Sequence, residues 1–191
     1  MRILFCKIAW MKYYEGIDDD RPTGGGKWVE DNQDGAESEN FLIYDDDTYC
    51  GYVSTKSTNG NDRQIRIESF QGITKKDDIA ENVLVIWVAQ NPNDKKHKIV
   101  GWYKKATVYR WYEFDSNGRP FNCEANSCDC VLVPVDKRKF DVPQSKTNPK
   151  KFGMGSSQFW YGTGRKDNEE SMLNAKKYID KVIDYIDKYN N

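Results

Sequence analysis

Residues 83–89, Val-Leu-Val-Ile-Trp-Val-Ala, form an uninterrupted apolar run of β-branched and aromatic side chains. Such a run has no polar face to offer water, so a strand here must lie near the middle of a sheet. Asn91-Pro92-Asn93-Asp94 breaks it with turn chemistry, and residues 99–103 resume an extended pattern. Two runs joined by a polar loop read as neighbouring strands. Gly101 stands in the second run where a side chain is expected, which signals close backbone approach or a sharp bend. Residues 106–111 continue it, again strand-like and aromatic, and Lys95, Lys96, Lys98, Lys104, Lys105 and Arg110 interleave with this core.

The rest of the chain sets limits on what this centre can belong to. At 191 residues it makes one domain, or one domain with a helical appendage, long enough to bury a core. Only 38% of residues are hydrophobic but 14% are aromatic, so rings must supply much of the buried area. No run of 18 apolar residues exists to span a bilayer. The opening MRILFCKIAW lacks a secretory core and cleavage site and reads as a first strand. Five cysteines without a signal peptide fit free thiols in a reducing cytoplasm.

Net charge is −1, but it is unevenly spread. Residues 15–47 hold 12 acids against Arg21 and Lys27, which leaves the remainder at +9. A polyanion responds to the local field, so a basic surface is open to this chain if the acidic segment lies elsewhere. The same charges also suit an ordinary mixed, solvated surface.

Along the chain, residues 3–11 alternate as a strand, followed by Asp18-Asp19-Asp20 and a Pro22-Thr23-Gly24-Gly25-Gly26 loop. Trp28 stands just beyond those glycines, either packing back as an anchor or lining a pocket. Residues 41–44 and 49–54 read as short strands around an acidic turn. Asn59-Gly60 offers a hairpin turn, and residues 64–70 alternate as a further strand. Thr74 with Asp77 suggests the cap of a short helix through Ala80. Asn117-Gly118 predicts a second hairpin, joining residues 107–114 to 121–125, and residues 130–135 form another apolar strand. A basic connector over residues 137–151 follows. Asp167 with Glu170 reads as a capping box for a long helix. Met172, Ala175, Ile179, Val182, Ile183, Ile186 and Tyr189 mark its apolar face. These elements predict an α+β fold: a curved, mostly antiparallel, barrel-like sheet with few helices and a long C-terminal amphipathic helix.

Catalytic constellations are sparse. His97 is the single histidine, in a lysine-rich loop that reads as exposed, so neither a Ser-His-Asp nor a Cys-His pair is in prospect. No phosphate-cradling G-x-x-x-x-G-K-[ST] run occurs, and Gly153-x-Gly155 lacks the rest of a dinucleotide fingerprint. Cys123, Cys128 and Cys130 do not have the spacing of a zinc site, and Asp45-Asp46-Asp47 lacks that of a calcium loop. Neither metal nor cofactor is expected.

Binding has more support. Tryptophans stand at positions 10, 28, 87, 102, 111 and 160, and all but Trp87 fall near predicted strand ends or in loops. Rings beside Lys and Arg are what an unstacked base requires, a π-face for the base and cations for its phosphates. Two facing rings, at about 1–3 kcal/mol per stacked base, could hold an extruded nucleotide. The same rings could equally be core, Trp87 above all. Residues 152–162 add polar readers: Ser156, Ser157 and Gln158 offer donors and acceptors where glycines let backbone approach closely. The expected contact set is therefore Trp10, Trp28, Trp102, Lys104, Lys105, Arg110, Trp111, Ser156, Ser157, Gln158 and Trp160.

Residues 83–89 followed by Ile99-Val100-Gly101-Trp102-Tyr103 resemble the paired strands of EVE domains, which belong with YTH and ASCH domains to the PUA-like superfamily of small curved barrels. The continuation Ala106-Thr107-Val108-Tyr109-Arg110 and the late Phe152-Gly153-x-Gly155-Ser156 and Trp160-Tyr161 elements resemble modules of bacterial modified-DNA restriction systems. The resemblance covers about a fifth of the chain. The Trp-rich opening of the family is replaced by Lys7-Ile8-Ala9-Trp10-Met11-Lys12. What it implies is a PUA/EVE-like domain over residues 1–165, with residues 166–191 as a helix packed on it. It further implies a reader of a modified base in DNA, with Trp28 and Trp111 as cage walls and Trp10 or Trp160 completing them. A nuclease would be its partner or fused neighbour, and no membrane is involved. Three rival readings remain: a small-molecule or nucleotide sensor closing the same cavity over a free ligand, a protein-interaction domain using the helix from residue 171 to residue 189, and catalysis by this chain.

Overall fold

The apolar run becomes the centre of the sheet because a strand occupies each of its edges and a layer covers each of its faces. In the computed structural model, which describes residues 1–24, 35–43, 47–55 and 64–189, strand β3 (Ile79–Gln90) lies between β1 (Arg2–Ile8) and β4 (His97–Phe114). β1 runs parallel to β3, with Leu4 opposite Val85 and Cys6 opposite Trp87. β4 is antiparallel to β3, and beyond it come β5 (Pro120–Asn126) and β2 (Thr48–Gly51). At the other end β8 (Phe159–Trp160) pairs with β1. The short β6 (Cys130–Leu132) and β7 (Asp141–Val142) pair with the first half of β4. Among the described residues the result is one eight-stranded sheet with a single parallel strand pair, and its strand path ends at β2 and β8 without closing. The antiparallel sheet expected from the hairpin signals is present; closure into a barrel is not.

Val83 through Ala89 are all buried, and they divide strictly between the two faces. Val83, Val85, Trp87 and Ala89 join a core with Leu4, Cys6, Phe41, Val53, Ile65 and Ile67, while Leu84, Ile86 and Val88 join one with Phe5, Ile99, Trp102 and the C-terminal helix. Period-two alternation is thus intact, and the absence of polar residues records that both faces are covered.

Gly101 earns its place sterically. A Cβ there would meet the Phe41 ring and the Val131 carbonyl at 2.6 Å, so a side chain cannot fit. The register slips at this point, with Trp87 opposite Gly101 but Val88 opposite Ile99, leaving Val100 as an extra residue on β4. A bulge of this kind sharpens local twist. It falls between the residues of β4 that pair with β7 and those that pair with β6, and β5 takes up the same edge further along, from Thr107.

Helix α1 (Glu169–Tyr189) covers the second face through Ala175, Val182 and Ile186. Its cap differs from the predicted one. Asn168 accepts the Ser171 amide at 2.8 Å, whereas Asp167 is engaged with Arg165 at 2.8 Å. Met172, expected on the apolar face, is 48% exposed, and Ser171 takes the buried position of the first turn, its hydroxyl donating to the Lys151 carbonyl.

Three other local expectations give way to tertiary context. Residues 64–70 are not a strand: Ile65 takes one hydrogen bond from the sheet, its amide donating to the Arg110 carbonyl, and the chain then curls into a 3-10 turn at Ile67–Ser69. The Asp77 carboxylate does accept from Thr74, from its amide at 2.6 Å and its hydroxyl at 2.8 Å, but these bonds close a turn, since residues from Ile79 onward are drawn into pairing with Tyr109. Ile43 makes only an isolated bridge to Tyr49 where a strand was expected, and the remaining strands near it are shorter than predicted. The Asn117-Gly118 hairpin forms, with Gly118 at φ +78° and Asp115 accepting the Asn117 and Arg119 amides. The Asn59-Gly60 turn lies outside the described residues.

Candidate functional site

Parallel pairing brings the C-terminal ends of β1 and β3 together, and the hairpin returns the first residue of β4 to the same spot, with His97 opposite Gln90. A cavity of about 200 Å³ opens there. Its base is formed by Lys7 and Ile8 from β1, Gln90 from β3 and His97 from β4; Ser156 and Gln158 close one side. Thr23, Glu37 and Ser54 close the other. The volume is below the roughly 300 Å³ at which sites begin to enclose drug-sized molecules. It suits one small planar group.

Local chemistry fixes these walls. The Gln158 carbonyl accepts the Lys7 amide at 2.8 Å, and the Lys7 ammonium donates to the Gly155 carbonyl at 3.2 Å, so β1 holds the Ser156–Gln158 turn directly. Thr23 is held by a two-way backbone bridge to Trp10, 2.9 Å each way. Gln90 turns its amide to the Lys95 carbonyl at 2.9 Å.

The electrostatics are close to balanced. Burial lowers the pKa of Lys7 below the usual amine range. Burial first, and the Lys7 charge second, lower that of His97 from its ordinary 6.5. At neutral pH the imidazole is therefore uncharged and offers one donor and one acceptor. Lys7 and the buried Glu37 supply opposite charges, and the remaining polar lining is amide and hydroxyl. Such a pocket suits a neutral group rich in donors and acceptors better than a naked phosphate.

A titration follows. The folded value for His97 is depressed, so the unfolded chain binds the proton more readily and the fold loses stability as pH falls through 6.5 toward the folded midpoint. In an NMR titration the His97 resonances should have their midpoint below 6.5, and Lys7→Met should move it upward. A midpoint at or above 6.5 in the native chain contradicts this electrostatic picture.

Of the sequence-predicted residues, Ser156 and Gln158 reach this cavity. Trp10 adjoins it through Thr23, and the Arg138 guanidinium lies 4.9 Å from its ring. Ser157 turns inward to its own loop, accepting the Phe159 amide at 3.2 Å. Trp28 lies outside the described residues.

The other indoles are dispersed. Trp102 is fully buried beneath α1, edge-on to Tyr185 and Tyr189. Trp160 is 7% exposed, 4.6 Å from Phe5, and its indole N–H donates to the Thr163 carbonyl. Both are core, because each lies on the strand face that the helix covers. Trp111 is half-exposed but lies 14 positions along β4 from His97, about 45 Å of strand contour.

The expected cations are largely engaged elsewhere. Arg110 is 5% exposed and its guanidinium donates to Asp77 and Thr74 carbonyls, to Gln64 and to Glu68. It clamps the turn before β3. Lys104 pairs with Asp187 at 3.4 Å and Lys105 with Asp129 at 2.8 Å. Lys98 is held by Asp94 and Asp141.

The lining residues outside the expected contact set are Lys7, Ile8, Thr23, Glu37, Ser54, Gln90 and His97. His97 is half-buried at the start of a strand, not in an exposed loop. One signal was available: Lys7 interrupts the otherwise apolar run of residues 3–11, where an ammonium needs a reason. Among the described residues no helix is long and apolar enough to cross a membrane, and no three His, Cys, Asp or Glu side chains converge as a metal site. Comparison with protein-family models, with curated proteins and with solved structures finds no match to this chain.

Proposed function

We propose that this chain is an EVE-like, PUA-like nucleic-acid-binding module that receives one modified base, extruded from DNA, in the cavity between Lys7, Gln90, His97 and Gln158. The observation that carries the reading is the meeting of two separately motivated segments. The Ser156–Gln158 turn, singled out for its polar readers, sits against the ends of the central strands, and the cavity between them is sized for one planar group. Gln side chains, a neutral imidazole and hydroxyls can match the donor–acceptor edge of a base, which is how flipped bases are read. The open, curved sheet is compatible with a PUA-like scaffold. The cage proposed is smaller than the one the six indoles suggested, with Trp10 joined to it through the backbone of Thr23. A nuclease partner belongs to the same reading, since the cavity brings no cleavage chemistry of its own.

The test is a titration of the chain with short duplexes bearing methylated or hydroxymethylated bases, against the unmodified duplex. The native chain should prefer one modified duplex. Gln158→Ala should reduce that preference by about 5- to 150-fold, the range of one lost bidentate base contact of about 1–3 kcal/mol. No preference across the panel, or a preference unchanged in Gln158→Ala and His97→Ala alike, removes the reading.

A sensor of a free nucleoside or similar small molecule is the second reading, favoured by one observation: the near-neutral lining does not call for a phosphate. It predicts nucleoside binding that is flat against salt, where a DNA reader loses affinity linearly on a log–log scale.

A further inference from the structure

A second concavity, of about 360 Å³, lies between α1 and the strap that follows β7. Lys150 and Phe152 of the strap face Asn174, Lys177, Tyr178 and Lys181 of the helix. Its floor is aromatic, with the Phe152 and Tyr178 ring centroids 5.7 Å apart. Its rim is cationic, and here the lysines differ from those on β4. Among the described residues, Lys150, Lys177 and Lys181 take part in no ion pair. Asp180, the single acid in the lining, leaves the groove net positive. Lys177 and Lys181 are also one helical turn apart, an arrangement that repels by a few tenths of a kcal/mol and that an anion would relieve.

The groove is tied to the base pocket by a short, rigid stretch of chain. Phe152 lines one and Ser156 the other, four positions apart, so their Cα atoms are separated by no more than about 14 Å. That stretch is pinned at several points. The Met154 amide donates to the Pro143 carbonyl at 2.8 Å, and the Ser145 amide to the Met154 carbonyl at 2.8 Å. Gly153, at φ +118°, lies so close to Pro143 that a Cβ would meet its carbonyl oxygen at 2.1 Å. The spacing between the two sites is therefore built into the fold.

We propose that the Lys150–Lys177–Lys181 groove is a phosphate-backbone site that holds the DNA strand within about four nucleotides of the extruded base, at the ~3.4 Å rise of one strand. This rests on the base-pocket reading above and adds a division of labour to it. The pocket discriminates; the groove supplies sequence-independent affinity and fixes the register of the strand over the pocket.

The experiment compares the native chain with the Lys150→Gln, Lys177→Gln, Lys181→Gln triple variant, on modified and unmodified duplexes from 50 to 200 mM salt. Three lost phosphate contacts make the log–log salt slope shallower by about 2.7, equivalent to about a 40-fold smaller loss of affinity across that range. Affinity for both duplexes should fall together at low salt, with the modified-to-unmodified ratio unchanged. A triple variant with native circular dichroism, native slope and native affinity overturns the groove while leaving the pocket standing. A variant whose modified-to-unmodified ratio collapses while its salt slope stays native overturns the division of labour. Normal salt slopes with no base preference in the native chain remove the pocket reading and leave the groove as a general phosphate site. Absence of any DNA binding by the native chain removes both.

Discussion

Trp87→Ala should destabilise the fold by about 3–5 kcal/mol, the range for removal of a large buried ring. Trp87 is fully buried in the middle strand, opposite Cys6 on one side and Gly101 on the other, with its ring edge-on to Tyr103 at 5.1 Å. Two glycines surround it. A Cβ on Gly51 would lie 2.5 Å from the Trp87 ring, so β2 approaches the indole with bare backbone. Backbone walls held in a sheet cannot close over a cavity as flexible side chains can, so little of the loss is recovered by relaxation. Among the described residues the indole N–H has no hydrogen-bond partner, so the change strands no acceptor there and the penalty is one of packing. For a domain of this size the melting temperature should fall by roughly 6–20 °C. A loss below about 1 kcal/mol in chemical denaturation would show that the ring is not the packing centre. Gly51→Ala sharpens the test: it should destabilise the native chain by overpacking and cost less beside Trp87→Ala, which removes the closest clash and leaves the one with the Tyr103 ring at 2.9 Å, giving non-additivity.

Arg138→Met should cost about 3–4 kcal/mol and also loosen the pocket wall, because the guanidinium holds main chain from two distant segments. It is 3% exposed and donates to three carbonyls: Val133 at 2.7 Å, Met11 at 2.5 Å and Lys12 at 2.8 Å. Methionine keeps the apolar stem but strands those oxygens away from water. Lysine retains the charge and loses the planar fork, so Arg138→Lys should restore only part of the stability. The functional readout is separable from the structural one. Met11 and Lys12 follow Trp10, whose backbone bridges Thr23 of the pocket, so amide exchange should rise first between Trp10 and Thr23. Uniform loss of protection across β3 and β4 instead would mean that Arg138 supports the whole core and not this loop. Arg138 belongs to the basic connector of residues 137–151, and its burial takes it out of any exposed basic surface.

The legible parts of this chain were those encoded over short distances. The run at residues 83–89 specified a doubly covered strand, Asn117-Gly118 specified a hairpin, and the spacing of Ala175, Val182 and Ile186 specified a helix with one buried face. Gly101 flagged a close approach that proved to be the Phe41 ring and the Val131 carbonyl. Ser156 and Gln158 were recognisable as polar readers from their loop composition, and both reach the cavity. Trp102 and Trp160 were not separable from binding residues by sequence, because a ring near a strand end has the same local signature whether a helix or a ligand covers it. Arg110 failed for a related reason: its carbonyl partners at Asp77 and Thr74 are more than thirty positions away.

What the sequence determined by itself is therefore the alternation, turns and amphipathicity that each element carries within its own few residues. Only the tertiary structure decided which cations are spent in internal pairs, which rings are roofed by α1, and that Lys7, Gln90 and His97 meet. The parallel register of β1 with β3 is what brings them together. That register arises from pairing across some eighty positions of chain, and no local preference of either strand contains it.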